Sequence, residues 1–464
     1  MKKSPDFYTL LILSCLFLTL GFRTQAQSID KHYKTEAINT LKQLMNERYV
    51  FPDVAQKTSA HLDKQLQSGQ FDASEDLESF AKALTIEVQS INKDKHMRIR
   101  PMPPFQAPEN TPSRMIEEHL NQLKQSRASV AGFQAIEKLD GNIGYIDLRG
   151  FYGVEVGGPM ADLAMKMLAT SDAMIIDLRK NGGGSPGMVQ YLCSYFFDKR
   201  VHLNSLYWRQ SDETQEFWTL DKVAGKKMPD VPLFILTSSR TFSGAEEFSY
   251  NMQTQKRATL VGETTGGGAN PGGTFRINKD LTVFIPTGTA INPITGTNWE
   301  GVGVIPEVKT SKEDALDKAI ALATEAAAAY REKTEKKVSA LLQDLFKQLT
   351  SPNGEEASLA SLKEGCELGI LGENDINMLG YYFLQEVKNS QAAELVLKNN
   401  TLLFPSSANV FDSYGEALAT NGKIAEAAKS YRKAVELAKA NQDPNLELFE
   451  ENLERVEGKL KKSN

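Results

Sequence analysis

Between Ile143 and Val308, short runs of apolar and β-branched residues alternate with stretches of helical period, and this pattern restricts the fold more than any other feature. The clearest runs are IGYIDLRGF (Ile143 to Phe151), MIIDL (Met174 to Leu178), PLFIL (Pro232 to Leu236), TLVG and LTVFIP. Helices are expected from Ser185 to Phe197 and from near Ser243. Such alternation predicts an α/β domain of parallel strands joined by helical crossovers, with near-continuous apolar strands buried on both faces. Ligands in these sheets sit beyond the carboxyl ends of the strands, so chemistry is expected in the loops after Leu178 and Leu236.

The flanking segments read as helical. Ala37, Leu41, Leu44 and Met45 form one apolar face and Leu77, Phe80, Leu84 and Ile86 another, which predicts an N-terminal helical bundle over 28–100. The proline-rich stretch RPMPPFQAPENTP and a short helix around Met115 to Gln125 make a linker over 101–133. The α/β domain then takes 134–312 and an all-α tail 313–464. In that tail Gly380 and Gly415, Ala392 and Ala427, Val396 and Tyr431, and Pro405 and Ala440 each stand 35 residues apart. The spacing is close to the ~34-residue period of tetratricopeptide helix pairs, which predicts such repeats over about 373–440. A packing appendage and a surface for a protein partner both fit this tail.

Lys2 and Lys3 precede an apolar run from Tyr8 to Phe22 and then Ala26, the order of a secretory signal peptide over 1–27. The run is shorter than the roughly 20 residues of a membrane span. A bacterial periplasm, cell envelope or exterior is the expected location. Leu13 and Ser14 fit a lipoprotein site at Cys15 poorly. Cys193 and Cys366 form no disulfide framework, and no His or Cys spacing matches a metal motif, so neither metal nor cofactor is expected. A net charge of −6 without a basic block gives no indication of nucleic-acid binding.

Ser243, in SSRTFSGAEEF, stands where a small-residue loop enters a helix after an apolar strand. Such a serine can be an ordinary helix cap. It can also be a nucleophile, with the adjacent Gly244 amide stabilising an oxyanion. The glycine run in DLRKNGGGSPG either makes a tight turn or supplies a second backbone donor, and the Lys-Ser/Thr pair of a nucleotide-binding loop does not follow it. A serine hydroxyl needs a base. Of five histidines, His32, His61 and His119 fall on polar helix faces and His202 follows a helix, whereas His96 lies at the junction of bundle and α/β domain. Glu300, in GTNWEGVGVIPEV, is a candidate carboxylate to orient it.

Read together, YVFPD, DKHMRI, GYIDLRGF, IIDLRKNGGG, TSSRTFSGAEEF, LVGETTGGGANPGG and NWEGVGVIPEV resemble the tail-specific or C-terminal processing serine peptidases. The resemblance keeps the family's order from about Ser28 to Val308. It is strongest to the Ser-His branch that includes tricorn core protease and interphotoreceptor retinoid-binding protein. It implies a crotonase/Clp-protease-like catalytic domain, Ser243 as nucleophile, His96 as base, Glu300 as acidic member, and Gly244 and Gly183 as oxyanion donors. The lysine of the Ser-Lys branch is missing, as is the PDZ module. Lys95 stands where the tricorn-like tetrad has a serine, so Glu300 would contact His96 directly, Asp94 would assist, or activity would be weakened. The expected function is an exported serine peptidase acting on polypeptides. Its alternative is a catalytically weak binding protein for apolar ligands or peptides on the same fold.

Overall fold

The computed structural model describes residues 29–102, 112–351 and 353–463, so the expected signal peptide, Cys15 and most of the proline-rich stretch lie outside the described residues. Two compact units, Met1–Ala327 and Ala328–Asn464, make up the chain. Along the first run α1 (Lys31–Arg48), α2 (Pro52–Gln67), α3 (Leu77–Asn92), β1 (Ile99–Pro101), α4 (Pro112–Ala128), β2 (Phe133–Leu139), β3 (Ile143–Leu148), α5 (Val154–Met167) and β4 (Ala173–Asp177). Then follow α6 (Pro186–Cys193), β5 (His202–Trp208), β6 (Glu213–Trp218), β7 (Leu233–Thr237), α7 (Gly244–Thr254), β8 (Thr259–Gly262), β9 (Gly272–Arg276), β10 (Leu281–Pro286), β11 (Gly288–Ile291), β12 (Val308–Lys309) and α8 (Ala315–Leu349).

The expected parallel sheet is present in the order β12-β8-β7-β4-β3-β2, with only β2 running antiparallel to its neighbour. Strands β4 and β7 are buried along their whole length, as their continuous apolar sequence requires. Ala315, Ala319, Ala323 and Ala327 recur every fourth residue of α8 and pack on Ile143, Ile175, Leu236 and Val261. One face of the Ala-rich run is therefore a sheet-packing face.

LTVFIP does not belong to this parallel set. It forms β10, which lies antiparallel between β1 and β9 in a separate three-stranded sheet. The reason is local: Asn278 Oδ1 accepts from the amides of Asp280 and Leu281 at 2.9 and 3.0 Å, turning the chain straight back, and so short a turn can join only antiparallel strands. A third sheet, β11-β5-β6, is also antiparallel and was not apparent from the sequence.

The N-terminal helices share a core with β1, β9 and β10. Leu41, Met45, Phe80, Leu84 and Val88 close over Ile99, Leu281, Val283 and Ile285. Ile86, expected on the apolar face, is instead exposed. Asp76 caps α3 by accepting from the Ser79 amide at 2.7 Å, and Lys93 ends the helix in the left-handed region with φ 58°. The loop from Lys93 to β1 is thus clamped at both ends, and it carries His96.

The second unit is helical: α9 (Glu355–Glu367), α10 (Glu373–Tyr381), α11 (Ser390–Leu403), α12 (Ala408–Thr420), α13 (Ile424–Asn441) and α14 (Leu446–Ser463). Gly380 lies against Leu397, and Gly415 against Tyr431, where an added Cβ would come within 2.5 and 3.0 Å of the facing side chain. The repeated glycine thus marks the close approach in two successive helix pairs, α10–α11 and α12–α13. Among the described residues no helix is long and apolar enough to cross a membrane.

Candidate active site

Strands β4 and β7 are parallel neighbours, so the loops leaving their carboxyl ends run side by side. They are laced together: the Thr241 hydroxyl donates to the Leu178 carbonyl at 2.8 Å, the Ser238 hydroxyl to the Arg179 carbonyl at 2.6 Å and the Phe242 amide to the Asn181 carbonyl at 3.1 Å. Ser243 closes this turn with φ 53° and ψ −122° immediately before α7. A non-glycine residue there carries strain of roughly 1–3 kcal/mol, which the surroundings must sustain. An ordinary capping serine would be extended.

Glu246 holds the turn. Its carboxylate accepts from four donors: the Ser243 amide at 2.9 Å, the Gly268 amide at 2.8 Å, the Gly267 amide at 2.6 Å and the Thr265 hydroxyl at 2.5 Å. Burial pushes this carboxyl up, while the four donors favour its charged form. One side chain therefore ties the serine turn to the glycine loop that packs against His96. The serine-to-glutamate spacing is that of a capping box, which disguises the role.

His96 lies in a cleft of about 690 Å³ that Ser243, Gly182, Gly184, Gly244 and Gly268 also line. Its ring packs against Phe242 at 4.5 Å and Phe284 at 5.6 Å between centroids. An added Cβ on Gly268 would fall 2.7 Å from His96 Cε1, so only glycine leaves room for the ring. Burial, reinforced by the Arg98 cation, holds the imidazole down at about 4, so it is neutral at neutral pH.

Behind the ring stand two acids. Asp94 is fully buried, with its Oδ1 accepting from the His96 amide at 3.0 Å and lying 3.8 Å from His96 Nδ1. Its Oδ2 accepts from Asn270 Nδ2 at 3.1 Å. Glu300 Oε2 accepts from the amides of Ala269 and Asn270 at 2.6 and 3.3 Å. Glu300 Oε1 and His96 Nδ1 are both buried without a partner. Burial raises Glu300 well above the carboxylate range and the Asp94 charge adds to this, while burial also raises Asp94. Two acids this close keep a proton between them.

Asp94, His96 and Glu300 each offer an atom within 4.8 Å of the others, and among the described residues this is the group that could converge on a cation. The same convergence lets two acids and an imidazole exchange protons. Lys95 points elsewhere, its ammonium donating to the Gly266 carbonyl at 2.5 Å. The remaining histidines have other surroundings: His61 pairs with Glu87 at 2.7 Å, His202 bonds Ser205 at 2.9 Å, and His32 and His119 are exposed.

The glycine run corrects one expectation. The Gly183 amide donates to Asn181 Oδ1 at 2.8 Å and its carbonyl accepts from Phe151, so it has no free donor for an oxyanion. Gly183 serves as a spacer instead, since a Cβ there would lie 2.7 Å from the Gly244 nitrogen and 2.8 Å from Ser243 Cβ. The amides of Gly184 and Gly244 donate to no group among the described residues, and both residues line the cleft. The two backbones touch, because a Cβ on Gly244 would lie 3.0 Å from the Gly184 nitrogen. Which amide of three glycines faces a cleft depends on backbone angles that composition does not reveal.

Two family models match the chain: peptidase family S41 over residues 142–310 and the N-terminal domain of that peptidase family in eukaryotic IRBP over residues 26–136. A solved structure of a candidate peptidase from Parabacteroides merdae is similar at 18% identity and a TM-score of 0.46, covering 62% of this chain and 96% of the other. The photosystem II D1 C-terminal processing protease is similar at 13% identity and a TM-score of 0.38, covering 60% of this chain and 93% of the other. Tricorn protease is similar at 13% identity and a TM-score of 0.41, covering 64% of this chain and 37% of the other. With its catalytic and N-terminal models together spanning more than half of the 464 residues, the chain belongs to peptidase family S41 and is a serine-type peptidase.

Proposed function

We propose that this protein is an exported serine peptidase that hydrolyses polypeptides through an acyl-enzyme on Ser243, with His96 as general base. The observation that carries the reading is the strained Ser243 turn, which shares one cleft with a neutral His96 and the free amides of Gly244 and Gly184. His96 takes the hydroxyl proton as Oγ attacks the substrate carbonyl, and the two amides donate to the oxygen that becomes negative. The imidazolium then gives its proton to the departing amine, and water repeats the sequence on the acyl-enzyme. Asp94 and Glu300 favour the imidazolium as it forms, because two acids that share one proton still carry one negative charge behind the ring. Export rests on the Lys2–Lys3 and Tyr8–Phe22 pattern. Tetratricopeptide-like recruitment of a protein partner rests on the 35-residue repeat of the C-terminal unit.

Labelling with a serine-directed fluorophosphonate tests the assignment. The wild type is expected to label at Ser243 and to cleave an unfolded polypeptide, and Ser243→Ala and His96→Ala to do neither. Undiminished hydrolysis by Ser243→Ala would refute it. No labelling of the wild type, together with apolar-ligand binding that Ser243→Ala leaves intact, would make the protein a binder.

A further inference from the structure

Helix α7 carries a second acid that the steps above do not use. Glu247 is only 5% exposed, yet it lines the same cleft as Ser243. Its amide donates to the Ser243 carbonyl at 2.9 Å, which places it one helical turn further along the same face. Helical Cα–Cβ bonds tilt toward the N-terminus, so its side chain leans back toward the serine turn.

The β11-β5-β6 sheet forms another part of the cleft wall. Asn204, Leu206 and Trp208 alternate along one face of β5, with Phe217 registered opposite Asn204, and Ala290 and Gln215 opposite Leu206. Of these, Leu206, Trp208, Gln215, Phe217 and Ala290 line the cleft. Burial deepens along the strand from half-buried Trp208 to fully buried Asn204. Both amide atoms of Asn204 lack a hydrogen-bond partner, and Asn204 is the side chain beside the Glu247 carboxyl. Burial pushes Glu247 up to about 8, and no basic side chain among the described residues offsets it. The result is a largely apolar shaft that leads to the buried Glu247 carboxyl, with the Asn204 amide beside that acid and no other group to bond it.

A hydrocarbon side chain in that shaft would leave the acid and the amide dry with only each other, and an acidic one would add a second buried carboxyl with no cation. A long aliphatic stem with a cationic head fills the shaft and supplies donors to both. We infer that Glu247 and Asn204 form the specificity end of the pocket for the residue whose carbonyl meets Ser243, and that this pocket selects lysine or arginine. The inference rests on Ser243 being the nucleophile.

Paired fluorogenic peptides that differ only in lysine or norleucine before the scissile bond provide the test. The wild type is expected to favour lysine by about tenfold or more in kcat/KM. Glu247→Gln, which keeps the side-chain volume, should erase that preference, and Asn204→Asp, which adds an acid, should increase it. A wild-type preference for norleucine, or a ratio that neither variant moves while cleavage persists, overturns the pocket and leaves the Ser243 assignment standing. If no peptide is cleaved, calorimetry with a peptide ending in lysine decides. Binding weakened about tenfold by Glu247→Gln supports the pocket even though the nucleophile reading fails. Equal or absent binding overturns the pocket.

Discussion

Lowering the pH tests the proposed role of His96 directly. Burial and the Arg98 cation hold His96 at about 4, against an ordinary value of about 6.5. At ~1.4 kcal/mol per unit, this amounts to about 3 kcal/mol in favour of the neutral ring. As the proposed proton acceptor, His96 therefore stays neutral far below the range where an exposed histidine becomes charged. The rate of fluorophosphonate labelling, with kcat/KM alongside, is expected to hold level from pH 7 to about 5 and to halve near pH 4. Stability carries the same signature. Because the folded value is depressed, the contribution is fully present above about pH 6.5 and is lost as the pH falls toward 4. The wild type should lose about 3 kcal/mol across that window that His96→Asn does not lose, as measured by urea unfolding. Arg98→Gln removes the lesser, exposed cause and should raise the midpoint only slightly. A rate profile breaking near pH 6.5, with equal acid sensitivity in wild type and His96→Asn, would refute the reasoning.

Other perturbations separate the supporting groups. Glu246→Gln replaces an oxygen that faces only donors by an amide nitrogen, and is expected to destabilise the fold by about 2–4 kcal/mol and to slow Ser243 labelling. Unchanged urea unfolding would contradict that. Glu300→Gln should lower kcat about 10²-fold or more and abolish the gain in rate expected as rising pH strips the shared proton from the Asp94–Glu300 pair. A persisting alkaline gain would remove Glu300 from that role. Lys95→Ala breaks only an exposed bond to the Gly266 carbonyl and should change kcat/KM by less than about threefold. A large loss would return Lys95 to the proton pathway.

The parallel core was legible because strands buried on both faces read as unbroken apolar runs, as MIIDL and PLFIL do. LTVFIP misled because it is buried on one face against the N-terminal helices, and its six residues are too few to distinguish that from a parallel strand. The placement of Ser243, Gly244 and His96 along one cleft follows loops that the sequence already singled out. That Gly184 and not Gly183 keeps its amide free is not legible in the sequence, because adjacent glycines differ only in orientation, which the Asn181 side chain decides. Glu246 and Glu247 look alike on a helix that shows solvent-like residues, yet one binds four donors and the other lines the cleft. That distinction is three-dimensional and depends on strands that lie before and after them in the chain.

The loop that holds His96 is fixed by a core drawing on residues as far apart as Leu41 and Ile285, and Glu300 lies later still. During synthesis His96 emerges first, Ser243 nearly 150 residues afterwards and Glu300 last. A nascent or prematurely terminated chain ending before Ile285 therefore holds a serine and a histidine without the complete core that positions them, and one ending before Glu300 lacks the buried acid. The two side chains come into register only when residues from both ends of that core have met.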